Sequence, residues 1–316
     1  MLVWAPMKRL KVLLSLTNNQ NDYQVEQAKA AEAVARRLGI ELEVVYADND
    51  SIKQSQQLLN VIQSRRDSRP DAIVVEPAGG TGLPQVARAA VTAEIGWVVL
   101  NRDIEYAQEL RRTYRVPIFS VSSDHEEIGR IQGRQIAALL PNGGTVLHIQ
   151  GPAENSAAKQ RAAGMYETKP VNVGIKVMRA AWTEDSAYRA VNSWLRLSTS
   201  QQSRIDVIAA QDDSMAIGAR RAFQELPNGV TRDRWLSLRY IGCDGMPATG
   251  QAWVKSGLLA ATIVDPPNSG QALEIVMKAV QSGIAPPERT LTTPVSFPAL
   301  HAIAPAAVDK ARSTSA

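Results

Sequence analysis

The chain has one cysteine in 316 residues, Cys243, so no internal disulfide can staple it. Cys243 lies in the apolar run Tyr240-Ile-Gly-Cys-Asp244, where the expected role is that of a small buried hydrophobe rather than a nucleophile. Histidine is almost as scarce. His125, His148 and His301 are far apart, none shows metal-ligand spacing, and no metal or other cofactor is expected. Aromatic residues make up only 5%, too few for a platform on which single-stranded nucleic acid would stack. The net charge is a mild +4, and the basic residues are scattered or in short groups such as Arg111-Arg112 and Arg220-Arg221. Without a basic stripe, no nucleic-acid partner is expected. No apolar run approaches the ~20 residues that a bilayer-crossing helix needs, so direct membrane insertion is not expected either.

Enzyme signatures are also missing. There is no G-x-S-x-G elbow and no Cys/His pair. The glycine-rich Glu76-Pro-Ala-Gly-Gly-Thr-Gly82 fits neither the dinucleotide fingerprint nor the P-loop, and reads as a tight turn before a helix. Paired carboxylates do occur at Asp212-Asp213, but as neighbours on a turn their side chains should diverge, which disfavours a glycosidase. The chain is expected not to be an enzyme.

Hydrophobic residues at 45% and charged residues at 21% give an ordinary globular balance, and the length suits two domains. The start, Met1 to Leu16, carries Lys8, Arg9 and Lys11 before Val-Leu-Leu-Ser-Leu. Its apolar stretch is short and no small-residue cleavage site follows, so no export signal is expected within it and Lys11–Leu16 reads as a first core strand. Strands and helices then alternate. The apolar positions Val25, Ala28, Ala31, Ala35 and Leu38 mark a helix closed by Gly39. The runs Glu41–Tyr46, Ala72-Ile-Val-Val and Trp97-Val-Val-Leu100 follow as strands. A second series runs through Thr145–Ile149, Ile175–Met178, Val207–Ala210, Arg239–Gly242 and Ala260–Val264. Such alternation predicts an α/β fold with two similar doubly wound parallel-sheet lobes and a ligand cleft between their strand C-termini.

Ligands of open α/β sheets sit at the carboxyl ends of strands, and the polar residues gather there. In Val207-Ile-Ala-Ala-Gln-Asp-Asp-Ser-Met-Ala-Ile-Gly-Ala219 a strand runs into two carboxylates and straight on into a small-residue helix. One carboxylate is expected to cap that helix and the other to face the crevice. Glu76, Asn101, Arg102, Asp244 and Asp265 also end strands, and Arg161 and Trp182 follow strands of the second series. Carboxylates accept hydrogen bonds, a guanidinium donates several in one plane, and an indole offers an apolar face. Together they suit a small polyhydroxylated ligand.

Four segments carry a family resemblance: Gly151-Pro-Ala-Glu-Asn-Ser-Ala-Ala-Lys-Gln-Arg161, Ala210-Gln-Asp-Asp-Ser-Met-Ala-Ile-Gly-Ala219, Ile241-Gly-Cys-Asp-Gly245 and Gly257-Leu-Leu-Ala-Ala-Thr-Ile-Val-Asp265. From Lys11 to about Pro305 the chain resembles type I periplasmic binding proteins of the ribose-binding-protein class, whose fold is shared with the effector domains of Lac-repressor-type regulators. The resemblance implies a sugar site formed by Asn21, Tyr23, Gln24, Glu76, Asn101, Arg102, Arg161, Trp182, Asp212, Asp244 and Asp265. It implies lobes of residues 7–122 with 266–293 and 123–265 with 294–306 and a three-crossing hinge near Ser122–Asp124, Asp265–Pro266 and Pro294, while the small polar residues from Ala307 predict a flexible tail at 307–316. It further implies a periplasmic monomer that closes on a sugar or polyol and delivers it to an ABC permease and its ATPase. A cytoplasmic effector-binding regulator of the same fold is the alternative. The ribose class usually has aromatic residues near both Tyr23 and Gln24, Asp at Asn101, Asn at Asp212 and Gln at Asp265. These departures point away from ribose toward another sugar, a polyol or an amine-bearing ligand.

Overall fold

Alternate residues of the central strands sort to opposite faces, and helices cover both. The computed structural model describes residues 9–79, 82–102, 104–197, 200 and 204–306. Two units divide the chain: everything up to Ser123 together with Pro267–Thr292, and Asp124–Pro266 together with the chain from Thr293 on. The proposed tail at 307–316 lies outside the described residues, as do Asp103 and two positions of the glycine-rich turn, 80 and 81.

In the first unit, β1 (Lys11–Leu16), α1 (Asp22–Leu38), β2 (Glu41–Tyr46), α2 (Ser51–Ile62), β3 (Ala72–Val75), α3 (Pro84–Thr92), β4 (Gly96–Leu100), α4 (Ala107–Thr113) and β5 (Ile118–Ser123) follow in order. The second unit contributes α5 (His125–Leu139), β6 (Gly144–Gln150), α6 (Ser156–Thr168), β7 (Val173–Arg179), α7 (Glu184–Leu195), β8 (Val207–Ala210) and α8 (Asp213–Gln224). It continues with α9 (Val230–Ser237), β9 (Arg239–Ile241), α10 (Gly250–Lys255) and β10 (Thr262–Val264). The chain then adds α11 (Ser269–Ser282) and β11 (Arg289–Thr292) to the first unit and β12 (Val295–Phe297) to the second.

The first sheet is wholly parallel, in the order β2-β1-β3-β4-β5-β11. On one face Val12, Leu14, Val74, Val98, Leu100 and Phe119 pack on Ala28, Ala31 and Ala35 of α1 and Leu273 and Val276 of α11. On the other, Leu13, Ile73, Val75, Trp97 and Val99 meet Leu58 of α2, Val86 of α3 and Leu110 of α4. This period of two on a sheet covered twice is why the strands read as continuous apolar runs. Gly39 ends α1 at φ 70, the left-handed cap that glycine adopts without penalty.

The second sheet repeats the order as β7-β6-β8-β9, all parallel, and parallel bridges Ile241↔Ala261 and Asp244↔Val264 carry it on to β10. Phe223 of α8 stacks on Trp235 of α9 at 4.6 Å, with Trp194 edge-on at 5.5 Å. One pair departs from the parallel order: β12 runs antiparallel to β10. Sequence periodicity also missed β5. Its Ile-Phe-Ser-Val-Ser-Ser is half serine, yet every residue is buried, with Ser122 donating its hydroxyl to Ser123 O and Ser123 donating to Asn101 Oδ1.

His148 illustrates a polar residue absorbed by the core. Between the apolar neighbours Leu147 and Ile149 it is fully buried. Gln132 accepts from its Nε2 and Gln150 donates to its Nδ1, each at 3.0 Å, which fixes a neutral ring. Burial, helped by the Arg179 charge, pushes its pKa down to about 3. The unfolded chain therefore takes up a proton that the folded chain refuses. Stability should be intact above the ordinary value of 6.5 and fall by about 1.4 kcal/mol per pH unit below it. Urea unfolding at pH 6.5 and 5.0 should show this loss; equal stability at both would contradict the neutral ring.

Candidate functional site

Each unit gathers its polar strand ends into a cluster. In the first, β3 ends at Glu76, whose main-chain N–H donates to Ser15 O of β1 at 2.9 Å. Gln54 of α2 fixes the same turn by donating to Glu76 O at 2.9 Å and accepting from Ala78 N at 2.8 Å. The Arg102 guanidinium stands 3.8 Å from the Glu76 carboxylate, and both side chains are buried. Arg102 also donates to Asn101 O at 2.7 Å.

Asn101 is the hub of this cluster. Its Nδ2 donates to Glu76 Oε2 and to the Tyr23 hydroxyl, each at 3.3 Å. Its Oδ1 accepts from Ser123 N at 3.2 Å, Ser123 Oγ at 3.3 Å and Asn268 Nδ2 at 2.6 Å. The side chain thus ties the Glu76 carboxylate to the last residue of β5 and to the loop entering α11. Asn21 caps α1 by accepting from Tyr23 N and Gln24 N, and Gln24 accepts from Thr17 N at 3.2 Å. Asn21, Gln24 and Asn101 therefore shape the frame, while Tyr23, Glu76 and Arg102 supply the cluster's functional groups.

The second cluster centres on Arg161 of α6. Its Nε donates to His125 Nδ1 at 3.4 Å and its Nη1 to Gln211 O. Asp244 lies 3.6 Å from Nη1 and Asp265 3.6 Å from Nη2. The guanidinium also stands over the Trp182 ring, 5.6 Å from its centroid, within cation–π range. Trp182 lies so close to Gly151 that a Cβ there would meet the ring at 2.1 Å, so only glycine lets the indole lie there. Asp212 caps α8 by accepting from Met215 N at 2.5 Å. Burial, reinforced by the carboxylates Asp212, Asp213 and Asp265, holds Asp244 well above the usual carboxylate range against the pull of Arg161. Cys243 is fully buried, and burial pushes its thiol up as well, which keeps it inert.

The second carboxylate of the Asp212-Asp213 pair departs from expectation. Asp213 does not face a crevice. It accepts from Gly245 N at 2.8 Å and from the Thr262 hydroxyl at 2.7 Å, while its N–H donates to Cys243 O at 2.7 Å. A Cβ at Gly242 or Gly250 would come within 2.2 or 2.0 Å of its oxygens, so both glycines make room for it. One buried carboxylate thereby clamps the ends of β8, β9 and β10, which carry Asp212, Asp244 and Asp265. An Asp213→Ala variant should lose about 1–3 kcal/mol for each buried donor left without an acceptor. A denaturation midpoint equal to wild type would contradict the clamp.

Backbone strain occurs in the same places. Of the seven described non-glycine residues with positive φ, Asn101 (55), Trp182 (61) and Asp244 (97) belong to the clusters, and Asp48, Asn49, Leu83 and Glu94 lie elsewhere. Such conformations persist only where the surroundings enforce them. Sequence reasoning missed Gln54, His125, Gln211 and Asn268. Gln211 stood beside Asp212 in a recognised motif, whereas Asn268 is 167 positions from Asn101 and gave no local signal. Among the described residues no His, Cys, Asp and Glu group is arranged to hold a metal, and no helix is long and apolar enough to cross a membrane.

Residues 12–284 match the periplasmic binding protein domain family. The ribose import binding protein of Salmonella typhimurium is 25% identical over 277 residues, covering 87% of this chain and 86% of that protein. The galactofuranose-binding protein of Escherichia coli is 24% identical over 288 residues, covering 90% and 86%. Among solved structures, a galactofuranose binding protein superposes with TM-score 0.77 at 22% identity, covering 91% of this chain and 94% of that one. A Caulobacter myo-inositol binding protein gives 0.74 at 22%, covering 93% and 95%.

Proposed function

The chain belongs to the periplasmic binding protein family, and from that premise we propose that it is a receptor for a small carbohydrate or polyol. It would work in the periplasm and hand its ligand to an ABC permease and that permease's ATPase. The carrying observation is the pair of clusters: each lobe ends its parallel strands in a buried carboxylate held 3.6–3.8 Å from a guanidinium. Carboxylates accept from ring hydroxyls, guanidinium N–H groups donate to them, and the Trp182 face receives C–H bonds. The proposed contacts are Tyr23, Glu76 and Arg102 from one lobe, with Arg161, Trp182, Asp212, Asp244 and Asp265 from the other. Asn21, Gln24 and Asn101 hold the first set in place.

Such a ligand is bound by population shift. Contacts to both clusters form together only when the hinge closes, so the ligand selects the closed form in proportion to that extra affinity. Every sugar hydroxyl loses water on entry, and one left without a partner is penalised by about 1–3 kcal/mol. That penalty is the source of specificity. The relatives with named ligands are binding proteins, and binding without turnover is the activity proposed here.

A thermal-shift screen against pentoses, hexoses, polyols, inositols and amino sugars tests this reading. A ligand at a hundred times its dissociation constant stabilises the fold by about 2.7 kcal/mol, enough to identify it plainly. Silence across the whole panel, with a shift from some unrelated metabolite, would overturn the carbohydrate assignment.

A further inference from the structure

We propose that His125 and Asn268 are positioning residues, which fasten the crossings of the chain between the two units to the central side chains of the two clusters. This rests on the receptor reading above and concerns how that receptor bends. Neither residue is among its proposed ligand contacts.

The chain passes between the units three times, at Ser123–Asp124, at Pro266–Pro267 and at Thr292–Thr293. In the first unit all three crossings lead back to Asn101. Its Oδ1 accepts from Ser123 N at 3.2 Å, from Ser123 Oγ at 3.3 Å and from Asn268 Nδ2 at 2.6 Å. Ser123 in turn pairs in register with Thr292, the last residue of β11.

In the second unit the same crossings lead to Arg161. Its Nε donates at 3.4 Å to Nδ1 of His125, just past the first crossing. Its Nη2 stands 3.6 Å from Asp265, just before the second. The third is reached along the β10–β12 ladder, where Val295 pairs with Val264, the neighbour of Asp265. Little chain is left between the fastened ends: Asp124, the pair Pro266-Pro267, and Thr293-Pro294. Proline locks φ, and the Asp124 carboxylate is occupied in capping α5. A hinge bends at a few residues of this kind.

Both central side chains also engage proposed ligand contacts. Asn101 donates to Glu76 and Tyr23, and Arg161 faces Asp244 and stands over Trp182. A ligand that draws on either cluster therefore acts on the segments that bend. Removing the acceptor of His125 or the donor of Asn268 frees more of the chain at a crossing. Every proposed ligand contact stays in the chain. The hinge should then sample a wider range of angles.

Spin labels at Gln56→Cys on α2 and Ser193→Cys on α7, both exposed positions, report the distance between the units by double electron-electron resonance. Cys243 is buried and stays unlabelled. The ligand-free protein is compared with His125→Leu, His125→Asn, Asn268→Ala and Tyr23→Phe. His125→Leu and Asn268→Ala are each expected to broaden the distance distribution by about 1.5-fold or more. His125→Asn should restore the wild-type width, because the asparagine Oδ1 takes the place of Nδ1 and accepts from Arg161. Tyr23→Phe should change nothing, since it removes a bond of Asn101 that leads to no crossing. A lowered denaturation midpoint with an unchanged distribution, in His125→Leu or in Asn268→Ala, would show a residue that only stabilises its own unit and would overturn the proposal. Equal broadening in His125→Asn or Tyr23→Phe would overturn it too. No ligand enters the measurement, so its failure leaves the receptor reading to the thermal-shift screen.

Discussion

Replacing Arg161 with methionine is expected to abolish ligand binding and to remove about 3–5 kcal/mol of stability at neutral pH. Methionine keeps the unbranched stem, so packing is largely retained and the loss is electrostatic. Arg161 is the cation 3.6 Å from both Asp244 and Asp265, and it anchors the β8 end through Gln211 O. Without it Asp244 keeps its carboxylate neighbours Asp212, Asp213 and Asp265 and loses the cation that attracts it. The folded-state pKa of Asp244, already above the ordinary 3.8, then rises further, so the folded variant binds more protons than its unfolded chain. Stability of the variant should therefore recover as pH falls toward 4 and worsen as pH rises. Urea denaturation at pH 7 and pH 4.5 gives the comparison. A deficit that is the same at both values would show that Arg161 acts through packing and not charge.

The second large effect is expected at Gly164. Helices α5 and α6 approach through glycines: a Cβ at Gly164 would lie 2.0 Å from Glu126 O, and one at Gly129 would lie 2.1 Å from Arg161 O. In an exposed helix Gly→Ala stabilises by roughly 0.5–1 kcal/mol. Here the obstructing atoms are main chain and cannot rotate away, so the added methyl must force the helices apart. Overpacking of this kind outweighs the propensity gain, and Gly164→Ala should lose about 3 kcal/mol net. Ligand affinity should fall too, because the same contact brings Arg161 to within 3.4 Å of His125. A raised denaturation midpoint would contradict the close approach.

The sequence announced these features unevenly, for physical reasons. Strands buried on both faces write themselves as apolar runs, so β1, β3, β4, β6 and β8 were legible. Their polar C-termini then exposed Glu76, Asn101, Asp212 and Asp244 as a recurring pattern. Strand β5 was hidden because serine replaces half of its apolar residues. Helix α11 and strand β11 return to the first unit after a long excursion, and short-range periodicity does not show which unit a late segment joins. The roles within the Asp212-Asp213 pair were inaccessible for the same reason. Which carboxylate caps and which clamps depends on Gly245 and Thr262, 32 and 49 residues away. Asn101 read as a ligand contact because it ends a strand, and the sequence did not show that its side chain also bonds Tyr23, Glu76, Ser123 and Asn268 and so braces its cluster.

The proposed function requires that one ligand engage both clusters. Titration calorimetry with the strongest thermal-shift hit tests it on three proteins: wild type, Glu76→Gln from the first lobe and Asp244→Asn from the second. One ligand per chain and at least a tenfold loss of affinity in each variant are expected. Two ligands per chain, or wild-type affinity in either variant, would contradict it.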